Sequence, residues 1–270
     1  MKLSSQLRAT TCLHSQDITA FQHRGGYDGI LAAPLPWEAE PPANDNGYDT
    51  ETPFEPHTPS TGVRRPPHKG TGSWRGACVD GERREIVLES KYEYRVATVA
   101  LADPRTAKLE DQPARLGIET DGNRHNVVPD FRVIRKDGRF VGLNVKPNSR
   151  RARSGIDAVS NAIEAQHPEF ADGVKVITEV EVGRNRADMA ALILRARWFV
   201  DEACLAAMRR VVSQTRGIVT VGSLVDQVPT LGAINAVVAM IGDGDLDLAG
   251  GGRFGRNSRV RAARHLSRFE

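Results

Sequence analysis

The sequence predicts an α/β or α+β domain of about 100 residues followed by a helical module. Three observations carry that expectation. The run "ERREIVLESKYEYRVATVALADP" from Glu82 holds no Gly or Pro until Asp103-Pro104 stops it, which reads as a helix. Two Asp-Gly turn signals, Asp121-Gly122 and Asp137-Gly138, separate β-rich runs at 114–120, 124–134 and 139–146. Beyond Asn185 the chain turns helical again, with "RADMAALILRARWFVDEACLAAMRRVVSQ".

Ahead of this domain, nine of the fifteen prolines fall before residue 80. A stretch so poor in periodic apolar residues cannot offset its ordering entropy, so residues 1–79 are expected to form a mostly disordered arm. The domain proper is expected over 80–183. After the meander, "SGIDAVSNAIEAQ" places Ile156, Val159 and Ile163 on one helix face with Ser154 as cap, and "VKVITEVEV" at 174–182 reads as a strand.

Residues 184–252 are expected to be a helical, winged-helix-like domain. Its last helix is capped by Thr230, turns Ile234, Val237, Val238 and Ile241 inward, and precedes a short strand at 246–249. Residues 253–270 form an Arg-rich tail, with six arginines against the single acid Glu270. Arg253, Arg256, Arg259, Arg261 and Arg264 are the candidate nucleic-acid contacts, since such a tail can neutralise phosphates and release counterions.

The composition narrows the classes. The chain of 270 residues is 40% apolar and 26% charged, with a net charge of +3. It contains no apolar run of membrane-spanning or signal-peptide length, so no membrane partner and a cytoplasmic location are expected. Cys12, Cys78 and Cys204 lie far apart and in odd number, which speaks for reduced thiols and against a disulfide framework or a cysteine zinc site.

The chemistry concentrates in "VVPDFRVIRKDGRFVGLNVKP", residues 127–147. A three-residue loop, Lys136-Asp137-Gly138, makes Arg135 face Arg139, so paired residue numbers sum to 274 and Asp130 stands opposite Asn144. Residues two apart on a strand share a face, so Asp130, Asn144 and Lys146 converge. A two-residue loop would put Asn144 on the other face. Pro129 removes a backbone donor just before Asp130, which places that carboxylate at an interruption or edge of the ladder. Glu93 joins from the preceding helix, on the apolar face with Val96, Ala97 and Ala100, and Glu89 is the second candidate one turn earlier. Two carboxylates, a neutral oxygen and an ammonium suit a hard cation such as Mg²⁺, with Mn²⁺ as substitute, and hydrolysis of a phosphodiester.

Residues 90–147 resemble the catalytic domain of TnsA-like transposon endonucleases, of the restriction-endonuclease-like PD-(D/E)xK superfamily. The matching pieces, in order, are Ser90 and Glu93, Asp103-Pro104, Gln112-Pro113, His125, Pro129-Asp130-Phe131 and Asn144-Val145-Lys146-Pro147. The resemblance implies a central mixed sheet flanked by helices, Glu93 and Asp130 as metal ligands, Asn144 in the third ligand slot and Lys146 as the catalytic lysine. That slot holds an acid in most nucleases of the fold and can hold Gln in this family; Asn is one methylene shorter. The resemblance further implies double-stranded DNA at transposon ends as substrate, with a DDE-type transposase and a transposition regulator as partners. The rival expectations are a catalytically silent DNA-binding or assembly subunit, which Asn144 favours, and a restriction or repair nuclease of the same fold.

Two motifs are set aside. "DGDLDL" at 243–248 opens like a calcium loop, but Leu248 stands where Gly is needed and Phe254 where the last acid is needed, so it reads as a helix-terminating loop. "GGG" at 250–252 lacks the strand-then-helix setting of a phosphate-binding loop and reads as a linker.

Overall fold

In the computed structural model, which describes residues 56–64 and 74–263, the run expected as one helix from Glu82 is divided in two. Strand β1 (Gly76–Val79) pairs antiparallel with β2 (Glu85–Leu88), and helix α1 begins only at Lys91 and runs to Ala102. The division has a local cause. Ile86 and Leu88 are buried while their neighbours are half-exposed, an alternation that suits a strand. Ser90 then caps α1 by accepting from the Glu93 N–H at 3.1 Å.

Part of the expected arm, residues 56–64 and 74–79, is among the described residues. Residues 1–55 and 65–73 lie outside the described residues. Residues 56–64 lie along β2, with Thr58 bridging Arg84 in parallel and bonded through its N–H and C=O to Arg83 and Glu85.

After α1 come β3 (Thr106–Asp111), the hairpin of β4 (Leu116–Thr120) and β5 (Asn123–Val127), then β6 (Phe131–Arg135) and β7 (Phe140–Val145). The expected single run 124–134 is two strands, broken where Pro129 removes a ladder donor. Strand β3 was not expected from the sequence. Its partner is β6, with Asp111 opposite Phe131.

The β6–β7 register is Phe131↔Leu143, Arg132↔Gly142, Val133↔Val141 and Ile134↔Phe140, a constant sum of 274. Gly138 takes the left-handed conformation, φ 84°, that the three-residue loop requires, and donates its N–H to the Arg135 carbonyl at 3.0 Å.

A short helix α2 (Asn148–Arg151) and a 3₁₀ turn (Ala152–Ser154) lead into α3 (Ile156–Gln166) and on to β8 (Gly173–Ile177), which pairs parallel with β7. Helix α3 starts after a left-handed Gly155. The expected cap, Ser154, instead bonds back to the Arg151 carbonyl. The chain leaves β8 after Ile177, five residues short of the expected strand end.

The result is a mixed four-stranded sheet, β3-β6-β7-β8, flanked by helices. Phe131, Val133, Leu143 and Val145 form one core with Val96 and Ala97 of α1. Ala162 and Ile163 of α3 join Leu116, Ile118 and Phe170 in another. Asn144, between Leu143 and Val145, faces α3.

The remaining chain comprises α4 (Arg184–Phe199), α5 (Glu202–Gln214), β9 (Val219–Thr220), α6 (Val221–Val225), α7 (Ala233–Asp243), β10 (Leu246–Leu248) and β11 (Arg259–Ala262). Its strands form an antiparallel sheet in the order β10-β11-β9. Helix α7 starts at Ala233, two residues later than a Thr230 cap implies, because Thr230 serves a turn through its carbonyl and meets Cys204 Sγ at 3.1 Å.

Seven of the eleven α7 residues are buried. Helix α4 crosses it so closely that a Cβ at Gly242 would come within 2.4 Å of Ile193 Cγ2. Helix α4 also packs on α1, and Arg197 donates to the carbonyls of Leu101 at 3.1 Å and Ala102 at 2.9 Å. Those carbonyls lie at the α1 C-terminus, whose last turn carries no basic residue of its own.

Candidate active site

The carboxylates expected to act together do lie near one another. Asp130 sits in the break between β5 and β6, half-buried, and its Oδ2 accepts the Val145 N–H at 2.7 Å. That bond ties it to the strand carrying Asn144 and Lys146. Burial, followed by the nearby charge of Glu93, pushes the Asp130 carboxyl up to about 7 from its ordinary 3.8, with Lys146 acting in the opposite sense.

Glu93 is buried on the α1 face, as its spacing from Val96 and Ala97 requires. Both its oxygens take part in the cap: Oε1 accepts from Ser90 Oγ at 2.8 Å and Oε2 from the Glu89 N–H at 2.7 Å. With Ser90 accepting from Glu93 N, this resembles a capping box, the Glu93 carboxylate reaching back to the N–H one residue before the cap. Desolvation raises the Glu93 carboxyl above its usual range. The two hydrogen bonds counter this, the Glu89 charge adds to it and Arg64 opposes it.

Asn144 is buried on the other face, where its Nδ2 donates to Ser160 Oγ of α3 at 2.9 Å. Ser160 in turn donates to the Ile156 carbonyl. The amide orientation is thereby set, and Oδ1 has no hydrogen-bond partner among the described residues. Lys146 continues the alternation of β7, two residues on from Asn144, and its backbone N–H donates to the Ile177 carbonyl at 3.0 Å.

One neighbour of this group was not expected from the sequence. Gln112 is buried, has φ 44°, and donates its N–H to the Asp130 carbonyl at 2.8 Å. Its side-chain amide donates to Glu89 Oε1 at 2.8 Å, while its own Oε1 is buried without a partner. Gln112-Pro113 belonged to the resemblance, but nothing in the residue pattern assigned it a contact.

Glu93 and Asp130 suit a divalent cation because they repel each other in a desolvated setting, with Lys146 and Arg64 as the nearby positive charges. Among the described residues no three His, Cys, Asp or Glu side chains come together as a metal-holding group. Glu93 and Asp130 are the two carboxylates present, while the expected third ligand, Asn144, is turned away from Glu93 toward Ser160 of α3, because its neighbours Leu143 and Val145 take the face packed on α1. A hollow of about 340 Å³ lined by Val79, Leu101, Leu194 and Trp198 shares no residue with it.

The basic C-terminal residues are less free than their count implies. Arg256 is ion-paired with Asp226, and Arg261 lies 3.3 Å from Asp247, so local acids offset both charges. Arg253 is exposed on the loop after β10. Arg259 is exposed on β11 and meets no acidic partner among the described residues. Arg264 lies outside the described residues. Asp243 and Asp245 of the set-aside calcium-like motif both approach Arg209, at 3.7 and 3.5 Å, at the end of α7.

Of the cysteines, Cys78 and Cys204 are free, and burial with the charges of Asp111 and Asp80 pushes the Cys78 thiol up to about 11. Cys12 lies outside the described residues. No described helix is long and apolar enough to cross a membrane. No protein-family model matches the chain, and no curated protein matches it.

Proposed function

We propose that residues 80–183 are a restriction-endonuclease-like nuclease core, like that of TnsA-like endonucleases, which cuts double-stranded DNA at transposon ends with Mg²⁺ or Mn²⁺ as cofactor. The observation that carries the reading is the placement of Asp130: raised by burial and Glu93, and bonded to the backbone of the Asn144-Val145-Lys146 strand. A desolvated carboxylate pair at a strand end, with a lysine on the adjoining strand, is costly as mere architecture and apt for chemistry.

Glu93 and Asp130 would hold the cation; the resemblance would add Asn144 as a neutral third oxygen, a side chain held here against Ser160 of α3. When bound, the cation supplies Lewis acidity at the phosphate and a water of lowered pKa. The Val145 N–H fixes one Asp130 oxygen and so sets the direction of the other. The bonds from Ser90 Oγ and the Glu89 N–H hold both oxygens of Glu93 and so fix its carboxylate plane. Lys146 is suited to orient the attacking water or to offset charge developing on the phosphoryl oxygens.

Residues 184–263 are read as winged-helix-like, since the elements run α5-β9-α6-α7-β10-β11 and the loop 249–258 lies between the last two strands. Contact with the DNA backbone is assigned to Arg259, exposed on β11. By the resemblance, a DDE-type transposase and a regulator are the partners.

The test is Mn²⁺-supported cleavage of a duplex bearing the element's end. Lys146→Ala should keep Mn²⁺ binding, measured by calorimetry with the duplex present, and lose about 10²-fold in cleavage rate. Cleavage by the variant at the wild-type rate would remove Lys146 from catalysis and with it the nuclease reading.

A second reading, a silent DNA-binding subunit of the transposition complex, draws on two features. Asn144 is held by Ser160, and both Glu93 oxygens serve the helix cap. Cleavage absent from wild type, with duplex binding retained, would favour it.

A further inference from the structure

Residues 58–64 run as a strap from the β2 edge to the carboxylate group, and a buried charge cluster holds them there. Arg84 lies between Asp80 and Asp111, 3.1 Å from the first and 3.7 Å from the second, with all three nearly inaccessible. The cluster reaches the strap twice, as Ser60 Oγ donates to Asp111 Oδ2 at 2.7 Å and Arg84 Nη1 donates to Thr61 Oγ1 at 3.4 Å. Val63 N–H then bonds the Gln112 carbonyl at 2.9 Å. Burying three charges costs several kcal/mol per ion before their attraction offsets it, a large cost for a surface segment without a task.

The strap ends by delivering Arg64 to Glu89. The guanidinium donates through Nε to Glu89 Oε1 at 3.0 Å, and through Nη2 to the same oxygen, which Gln112 also holds. Arg64 nevertheless remains 51% exposed, so its outer N–H groups face solvent beside the carboxylates. A planar guanidinium matches a phosphate's paired oxygens better than an ammonium does.

We propose that Arg64 binds a backbone phosphate of DNA at the candidate active site, placed there by the strap and aimed by Glu89. The identity of the anion rests on the nuclease reading. The strap's anchoring does not.

The experiment is binding of a 20-base-pair duplex in Ca²⁺, followed by fluorescence anisotropy over a range of salt, with wild type, Arg64→Ala, Arg64→Lys and Arg64→Ala/Glu89→Gln. The expected result is about tenfold weaker binding by Arg64→Ala near 0.1 M salt and a log–log salt slope shallower by about one unit, the change that follows when one phosphate is no longer neutralised. Arg64→Lys should keep the slope and lose part of the affinity. If the double variant binds as wild type does, Arg64 only neutralises Glu89 and the proposal falls. Unchanged affinity and slope in Arg64→Ala overturn it too, while Mn²⁺-dependent cleavage by wild type would leave the nuclease reading in place. A slope change with no cleavage by wild type would uphold the phosphate-binding role and sink the enzyme.

Discussion

Asp130→Asn is expected to abolish cleavage and, at the same time, to make the metal-free protein more stable at pH 8. The loss follows from removing one of two anionic ligands, and a fall of about 10³-fold corresponds to about 4 kcal/mol of barrier. The gain follows from the raised carboxyl. In the unfolded chain Asp130 titrates near its ordinary 3.8, in the fold near 7, so between those values the folded protein binds the extra proton. Raising the pH through this window removes that proton and destabilises the fold. Asn keeps an oxygen for the Val145 N–H and carries no charge. The metal-free variant should therefore exceed wild type by about 2 kcal/mol in urea unfolding at pH 8 and match it near pH 4, the figure lying below the full linkage value because the side chain keeps some solvent contact. Equal stability of the two proteins at pH 8 would show that the carboxylate is solvated and unfit for the role given to it. Saturating Mn²⁺ should reverse the order, stabilising wild type alone.

Arg84→Met should cost about 3–5 kcal/mol, because it strands Asp80 and Asp111 as two buried acids without their shared cation. Arg84 also donates to the Leu109 carbonyl and to Thr61, so the variant leaves further acceptors unpaired. Urea unfolding of the variant reports the total. A cost below about 1 kcal/mol would mean that water reaches the cluster, and the strap would lose its rigid anchor. Limited proteolysis offers a local readout, with cleavage between residues 58 and 64 becoming faster in the variant.

The hairpin was legible because turn chemistry and register are local. Asp137-Gly138 selects the loop, the loop sets the sum of 274, and Asp130 follows. Glu93 was legible because helical spacing put it with Val96 and Ala97. The Ser90 cap was also written in the chain, but an uninterrupted run without Gly or Pro masked the strand alternation at Ile86 and Leu88. Other features depend on residues far apart in sequence. Asn144 meets Ser160 across the parallel crossover, Asp111 meets Ser60 and Arg84, and Arg261 meets Asp247 across two strands. No local pattern encodes such pairings, and for that reason the arginine count overstated the free positive charge.

If the proposed DNA role holds, the burial of α7 bears on how target sites would be chosen. A helix that reads bases must lie in the major groove and present polar side chains to it. Here that helix position is filled by Ala233, Ala236, Val237, Val238 and Met240 beneath α4, and it carries no basic residue. On the proposed reading, α7 would offer a duplex no basic side chain with which to read its bases. Isolated protein should then bind an element end and a random duplex within about threefold of each other, and a preference of about 10³ or more, typical of base-reading proteins, would contradict this. The address of the cut would be written by whichever companion brings the DNA.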